Sequence, residues 1–271
     1  MIFNLSITIS DVRVITEETV SLYPNLTHLI IGSGVQEIAP EAFKSLRSLR
    51  SVTFDTDIDT IGHLAFFDCP SLETIRGINR VREIGGWAFC FCPTLKTASC
   101  DNEHTNLLTS IGQYAFAYCT ALEMIDLPES LTIIGKYAFS TCTALKSVNF
   151  PTTLKVIDDA AFFKCESLNS VPFNRGLTQI GKAAFFGCSS IIKLLIPDTV
   201  VSIGEDAFAF IFLSFVSIPN SVTHIGNGAI GIQVGFLEEM SIPERFHNRI
   251  IQILGFFYDF SDLAKINYTE D

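Results

Sequence analysis

A unit of 23 residues repeats along most of this chain, and it constrains the fold more than any other feature of the sequence. The unit reads Ile-Gly-x-x-Ala-Phe-x-x-Cys-x-x-Leu and continues with a short apolar segment that often ends at proline. A fixed period of roughly 20 to 50 residues is typical of a solenoid, in which each repeat buries its apolar face against the next. The first isoleucine of the unit recurs at Ile38, Ile61, Ile84, Ile111, Ile134, Ile157, Ile180, Ile203 and Ile225.

Three further columns of apolar residues keep step with this isoleucine, and we predict that all of them are interior. An alanine precedes each phenylalanine of the unit. The phenylalanine column is Phe43, Phe66, Phe89, Phe116, Phe139, Phe162, Phe185 and Phe208. The cysteine column is Cys69, Cys92, Cys119, Cys142, Cys165 and Cys188. The leucine column is Leu49, Leu72, Leu95, Leu122, Leu145 and Leu168, followed by Ile191 and Leu213.

The local pattern predicts two extended pieces and one turn of helix in each repeat. Residues Leu145 to Phe150 alternate like a strand with one buried face, and Pro151 then closes the strand because it has no N–H to donate. The segment before each repeating isoleucine predicts a second, shorter strand. The Ala-Phe-x-x-Cys segment predicts about one helical turn. Because Ala39 and Asp158 take the place of the usual glycine, that column requires a small residue more than a left-handed backbone.

The segment from Leu145 to Cys165 resembles the BspA-like, Treponema-type leucine-rich repeat, and the resemblance extends over about residues 38 to 243. It implies an α/β-type repeat protein, a curved solenoid in which one parallel strand per repeat lines an inner face. The resemblance also implies cell-surface adhesion and binding to host or matrix proteins, because BspA-like proteins are often surface antigens.

The period passes through any plausible boundary, so we predict one elongated domain in three parts. Residues 1–37 form an N-terminal segment with a degenerate capping repeat, residues 38–243 hold about eight full repeats plus one degenerate repeat, and residues 244–271 form a partly helical C-terminal cap. In that last part, Phe246, Ile250 and Leu254 share one stripe of a helix. The stripe either covers the end of the array or docks a partner.

Charge and composition exclude several classes of function. The chain has 18 lysines and arginines and 29 acidic residues, which gives a net charge of −11. This charge argues against binding to nucleic acid and against binding to an anionic membrane surface. No apolar segment is long enough to span a membrane, so we expect no membrane insertion. The first residues lack the basic segment of a secretory signal. We therefore expect a cytoplasmic location by default, and only the family resemblance points to the cell surface.

The residues with chemical potential form no recognisable site. Six of the eight cysteines lie in one interior column, so we predict free buried thiols instead of disulfides. Cys90, Cys92, Cys100 and His104 lie close in sequence but lack the paired spacing of zinc ligands. We predict no metal, no cofactor and no catalytic residue. An array that serves as the recognition arm of an enzyme, or a hydrolase site in the loop of the third repeat, is the enzymatic alternative.

Two surfaces remain as candidates for binding a partner. The third repeat is 27 residues long, and its extra residues form either a tolerated bulge or a binding loop. The outward positions of the strands change along the array from charged to partly apolar, and Ile192, Leu195 and Phe215 predict an exposed apolar patch. We predict that this face binds a protein or a glycan, whereas a structural scaffold or spacer is the alternative. The candidate residues are Arg50, Arg76, Lys96, Glu123, Asp126, Lys146, Asn149, Ile192, Leu195 and Phe215.

Overall fold

The chain winds as a solenoid of parallel strands, and the fold that the repeat predicts is confirmed. The computed structural model describes residues 5–101, 106–231, 236–255 and 263–270. Each coil is named below after its residue in the leucine column, so the Leu145 coil runs from Leu145 to the residue before Leu168. Successive coils pair in register, so that each strand residue lies beside its counterpart one repeat away, as Ser51 lies beside Thr74.

One side of the solenoid carries a continuous sheet of ten short parallel strands. Most of these strands have two residues, of which the isoleucine points into the core and the other points outward. The strands are β2 (Val14–Ile15), β4 (Glu37–Ile38), β6 (Ile58–Ile61), β8 (Val81–Ile84), β10 (Ser110–Ile111), β12 (Ile133–Ile134), β13 (Val156–Ile157), β14 (Gln179–Ile180), β16 (Ser202–Ile203) and β18 (His224–Ile225).

A second side, which we call the strand-lined face, carries two separate parallel sheets. The Leu145 and Leu168 coils, which lie between these two sheets, have no strand on this face. A single bridge between Ser147 and Ser170 joins the two coils there. The first sheet contains β1 (Ser6–Ile9), β3 (His28–Ile31), β5 (Ser51–Phe54), β7 (Thr74–Arg76), β9 (Thr97–Ser99) and β11 (Met124–Ile125). The second contains β15 (Lys193–Leu195), β17 (Phe215–Ser217), β19 (Glu239–Pro243) and β20 (Ile266–Thr269).

The Ala-Phe-x-x-Cys segment, for which the sequence predicts about one helical turn, instead forms linked turns that contain two left-handed residues. In the Leu122 coil these are Tyr137 and Thr141, with φ of 55° and 62°. This geometry points alternate N–H groups at the next coil. Tyr137, Phe139 and Thr141 therefore donate to backbone carbonyls of the Leu145 coil at 2.7 to 2.9 Å. A helix would direct these hydrogen bonds within its own coil. The hydrogen bonds between coils therefore compensate for the backbone strain of the left-handed residues.

The interior is a stack of identical side chains. Phe43, Phe66 and Phe89 lie parallel with ring centroids 4.7 and 4.9 Å apart, and the later rings of the column lie 5.2 to 5.4 Å apart. Parallel strands are spaced by about 4.7–4.9 Å, so the rings repeat at nearly the same distance as the backbone. None of the eight phenylalanines of the column has appreciable exposed surface.

The glycine that follows the repeating isoleucine is required by close approach of two backbones. A Cβ atom at Gly62 would lie 2.5 Å from the backbone nitrogen of Pro40 in the preceding coil. Gly62 is not among the left-handed residues, which agrees with the interpretation that the column needs a small residue.

The ends of the described chain depart from the repeat. Near the start, helix α1 (Glu17–Ser21) replaces the turn and is capped by Thr16 and Thr19. Near the end, a 3₁₀ helix (Glu244–Arg249) leads into α2 (Ile250–Leu254). Another 3₁₀ helix spans Ile78–Arg80. Phe246, Ile250 and Leu254 are buried, which favours the cap over the docking helix. Among the described residues, no helix combines the length and the apolar composition of a membrane span.

Replacing Phe139 by alanine tests the stack. The ring lies between Phe116 and Phe162 at 5.4 and 5.2 Å and is fully buried, so Phe139→Ala leaves a cavity. We expect a loss of about 3–5 kcal/mol of unfolding free energy in chemical denaturation. The matched control is Asn149→Ala, an exposed position, which should change stability by less than about 0.5 kcal/mol. A loss below about 1 kcal/mol for Phe139→Ala would contradict an interior stack.

Two adjacent alanines test the left-handed turn. Ala183 has φ of 53°, whereas Ala184 is buried and is not left-handed. Glycine at position 183 relieves backbone strain of roughly 1–2 kcal/mol but also increases the conformational freedom of the unfolded chain. Ala183→Gly should therefore raise the unfolding free energy by about 0.5–1 kcal/mol. Ala184→Gly should destabilise by about 1 kcal/mol or more, because it removes a buried methyl group and relieves no strain. Equal effects of the two changes in urea denaturation would refute the turn geometry.

Candidate functional site

The candidate residues on the strand-lined face do lie on its outer side, with differing exposure. Arg50, Arg76, Lys96, Asn149 and Leu195 are exposed, as are Glu123, Lys146 and Ile192. Asp126 and Phe215 are only half-exposed. The alternation of buried and outward residues along each strand explains this placement, because Val52 and Val148 point inward beside the outward candidates.

Four of the six charged candidates are paired with an opposite charge on a neighbouring coil. Arg50 binds Glu73 at 2.8 Å, and Lys96 lies 3.9 Å from the same carboxylate. Further along, Lys146 binds Glu123 at 2.7 Å, and this hydrogen bond holds the pKa of the Glu123 carboxyl below its ordinary value. The charges alternate in sign because residues one repeat apart are direct neighbours. These exposed pairs contribute little to stability individually, but they leave few unpaired charges on this part of the face.

Asp126 has a structural contact that the sequence did not predict. One carboxylate oxygen accepts the backbone N–H of Cys100 at 3.1 Å, from the coil before. The side chain thus holds the chain at the start of the third-repeat insertion. A structural role accounts for its half-buried position better than contact with a partner does.

The apolar patch is real but smaller than the sequence predicts. Ile192 and Leu195 are 55% and 61% exposed. Phe215 is half-buried and pairs with Lys193 across β15 and β17, while Leu195 pairs with Ser217. The patch therefore consists of two exposed aliphatic side chains with one cation between them in sequence.

A cavity of about 510 Å³ opens beside this patch, between β15 and the Leu168 coil, which has no strand on this face. Its lining includes Pro172 and Phe173 from the Leu168 coil, together with Ile192, Lys193 and Leu195. The N–H of Phe173 bonds to the carbonyl of Val171 at 2.8 Å, a tight turn centred on Pro172 that ends the extended backbone. A proline inside a strand segment is the signal that could have predicted this interruption.

Stacked aromatic side chains on the turns form a surface that the sequence analysis missed. Trp87, Tyr114 and Tyr137 occupy left-handed positions in successive coils, with ring centroids 4.2 and 4.6 Å apart. Stacking of such rings is worth about 0.5–1.5 kcal/mol a pair, which offsets part of the backbone strain. The column is hard to recognise because Glu41 and Ala183 hold the same position elsewhere.

The cysteines are structural throughout the described chain. All eight are free, and seven of them are buried. The thiols of the cysteine column donate hydrogen bonds to backbone carbonyls of the phenylalanine column in the preceding coil. Cys142, for example, donates to Phe116 at 3.1 Å. Burial raises the pKa of the Cys142 and Cys165 thiols, so they are poor nucleophiles.

The structure describes three of the four residues that lie close in sequence as potential zinc ligands, namely Cys90, Cys92 and Cys100. Cys92 donates to the carbonyl of Phe66 at 3.3 Å, whereas the thiol of Cys100 points toward the carbonyl of Asp126. Within the described residues, no group of three or more histidine, cysteine or acidic side chains is arranged to hold a metal ion. His104 and much of the third-repeat loop lie outside the described residues.

Alkaline pH should destabilise the protein through these thiols. Burial raises the pKa of Cys90 from 9.0 in the unfolded chain to about 12. The protonated Cys90 thiol makes its full contribution to the unfolding free energy below pH 9. This contribution is lost as the pH rises from 9 toward 12, by up to about 1.4 kcal/mol per pH unit. Denaturation between pH 8 and 11 should show a shallower decline for Cys90→Ala than for the unchanged chain. Identical slopes would contradict the buried, protonated thiol.

Comparison with known proteins identifies the repeat. A model of the BspA type leucine rich repeat region, with six copies, matches residues 13–110 and 109–232. The crystal structure of a T. pallidum leucine rich repeat protein is 29% identical, with a TM-score of 0.53, over 69% of this chain and 78% of that one. A leucine-rich repeat protein from Bacteroides ovatus is 26% identical, with a TM-score of 0.52, over 87% of this chain and 59% of that one. No curated protein matches the chain.

Proposed function

Because this chain belongs to the BspA type leucine rich repeat family, we propose that it is a non-enzymatic interaction module that binds a protein partner on the strand-lined face. Solenoids present long continuous surfaces, and partners commonly bind along them. The observation that carries the proposal is the exposed pair Ile192 and Leu195 beside a cavity of about 510 Å³. Apolar side chains grouped beside a concavity are typical of contact sites.

The distribution of charge supports a contact in the C-terminal half of the face. Between Arg50 and Lys146, the cations Arg50, Lys96 and Lys146 are paired with Glu73 or Glu123, so a partner would have to break ion pairs to use them. From Asn169 to Ser217 the outward strand positions carry one charge, that of Lys193, and the next strand, β19, adds the exposed carboxylate of Glu239. Burial of Ile192 and Leu195 against a partner would release water without breaking any ion pair.

The chemistry of the described residues supports a binding role over catalysis. The buried thiols have raised pKa values, and acidic side chains such as Glu123 and Glu205 are engaged by lysines of neighbouring coils. Adhesion to a surface or matrix protein is one form that such binding takes. The compartment in which the protein works stays a prediction.

The N-terminal half of the array fits the second candidate function, that of a structural spacer. The ladder from Arg50 through Glu73 to Lys96 links three coils and leaves their charges paired. In the proposed module, these coils therefore hold the binding half at a distance instead of contacting the partner.

Site-directed photocrosslinking tests the proposed face. A photoreactive residue at position 195 should capture a discrete protein, identified by mass spectrometry. A second exposed apolar position, Val201, which directly precedes β16 of the ten-stranded sheet, should not. We expect Ile192→Asp with Leu195→Asp to reduce binding of the purified partner at least about tenfold, since two buried contacts are lost. The same change at Val201 should leave binding unaltered.

The contradicting results differ in kind. Equal capture from positions 195 and 201 would place the contact elsewhere. Binding on a glycan array that survives Leu195→Asp would show that the partner is a carbohydrate and that this face does not hold it. Folding of each variant is checked by its circular dichroism and melting temperature.

A further inference from the structure

One junction between coils lacks the backbone hydrogen bonds that join the others on the strand-lined face. Elsewhere the N–H at the first outward position of each coil donates to a carbonyl of the coil before. The series includes Arg50 to Thr27, Glu73 to Arg50, Lys96 to Glu73, Glu123 to Lys96, Lys146 to Glu123 and Asn169 to Lys146. It then stops: although residues 169–173 and 192–195 are all described, no backbone hydrogen bond joins them. It resumes as Ser214 donates to Ile192 at 2.8 Å.

Strand β15 therefore has one paired edge and one unpaired edge. Leu194 faces β17, and Ile196 donates to Ser217 at 3.1 Å on the same side. Since alternate residues of a parallel strand bond to opposite neighbours, the N–H and C=O groups of Lys193 and Leu195 point toward the Leu168 coil. We call these four groups the open edge.

The Leu168 coil cannot close the open edge. Pro172 has no N–H, and the N–H of Phe173 is used within the tight turn to Val171. The ring of Phe173 is held inward, 5.5 Å from Phe185 and edge-on to it. The side-chain amide of Asn174 donates to the carbonyl of Phe150 at 2.8 Å, which draws this part of the coil toward the Leu145 coil instead.

The space in front of the open edge has side chains suited to a ligand. The cavity of about 510 Å³ is lined on one side by Pro172 and Phe173 and on the other by Ile192 and Leu195. Lys193 projects between these two and forms no ion pair with any described residue. The cavity thus combines unpaired backbone groups, apolar walls and one available cation.

We propose that the open edge binds an extended peptide segment of the protein partner by strand addition, with an acidic side chain of that segment at Lys193. This inference rests on the proposed function and specifies how the partner is held. An unpaired strand edge presents N–H and C=O groups at the spacing of another strand, and main-chain bonds of this kind supply affinity in peptide recognition. Lys193 is the cation that lines this cavity, so an acidic side chain of the partner is the complementary charge there.

The edge is short, and this limits the segment it takes. Strand β15 has three residues, so only two of them, Lys193 and Leu195, can bond to an added strand. The main-chain contacts therefore cover about three or four residues of the partner. Specificity must come from side chains that alternate between the apolar walls and solvent, with a carboxylate near Lys193.

Hydrogen exchange of the free protein tests the geometry. The amides of Lys193 and Leu195 should exchange at least about tenfold faster than the amide of Leu194, which bonds to β17. Equal protection of the three amides, measured by nuclear magnetic resonance, would show that the edge is closed and would overturn the proposal.

Peptide selection tests the ligand. A displayed library of random heptapeptides is selected on the full chain, and the selected peptides are synthesised with N-methyl groups on alternate amides. Methylation of the amides that face the open edge should weaken binding at least tenfold, whereas methylation of the other set should not. Selected peptides should contain an acidic residue and lose affinity for Lys193→Glu. Failure to select any peptide, or equal effects of both methylation patterns, would overturn strand addition.

A pair of variants separates the backbone from the side chain. Leu195→Pro removes the N–H that faces the cavity but leaves the bonds that Leu194 and Ile196 make to β17. Leu195→Ala keeps that N–H and removes most of the side chain. We expect proline to weaken peptide binding at least tenfold and alanine only a few-fold. If the proline variant does not fold, the methylated peptides still decide the question.

The failure of this inference is distinguishable from failure of the proposed function. If position 195 captures a protein but no selected peptide depends on the open edge, the face binds a partner by side chains alone. If neither peptides nor proteins bind there, both proposals fail.

Discussion

The stacking of identical side chains at the spacing of one strand is the constraint on which this structure depends. Phe139 can lie parallel to Phe116 and Phe162 only if their coils stay in register, and the same register places every other residue beside its counterpart. A single repeat has too little interior to fold alone, so each coil relies on its neighbours for burial. Register, once set by the phenylalanine column, determines the hydrogen bonds of the turns and of both strand sides.

The repeat explains why so much of the fold could be predicted from sequence. The isoleucine, phenylalanine and leucine columns depend on burial alone, and Ile134, Phe139 and Leu145 are all interior. The turn could not be predicted, because helical and left-handed turns both place Phe139 inward. Tyr137 and Thr141 give no sign of positive φ, since neither is glycine or asparagine. Here bonds between coils decide the conformation, and local propensity does not.

The site was predicted less well, for two physical reasons. Outward position does not distinguish a binding residue from one that pairs with the next coil, so Arg50 and Lys146 were candidates although their charges are satisfied within the array. The prediction also assumed an unbroken sheet. The single proline at Pro172 changes the hydrogen bonding of the following junction, and this effect depends on the neighbouring coil as much as on the proline itself.

The missing ladder beside β15 has a mechanical consequence. In a one-dimensional array, cohesion is close to a sum over adjacent coils, and the junction with the fewest bonds is the seam at which it parts. There the coils are held by the pairing of Gln179 with Ser202 and by the stack of Phe185 on Phe208, but no backbone hydrogen bond joins them on the strand-lined side. Under tension, the solenoid would hinge open at this seam before either flanking block loses its shape.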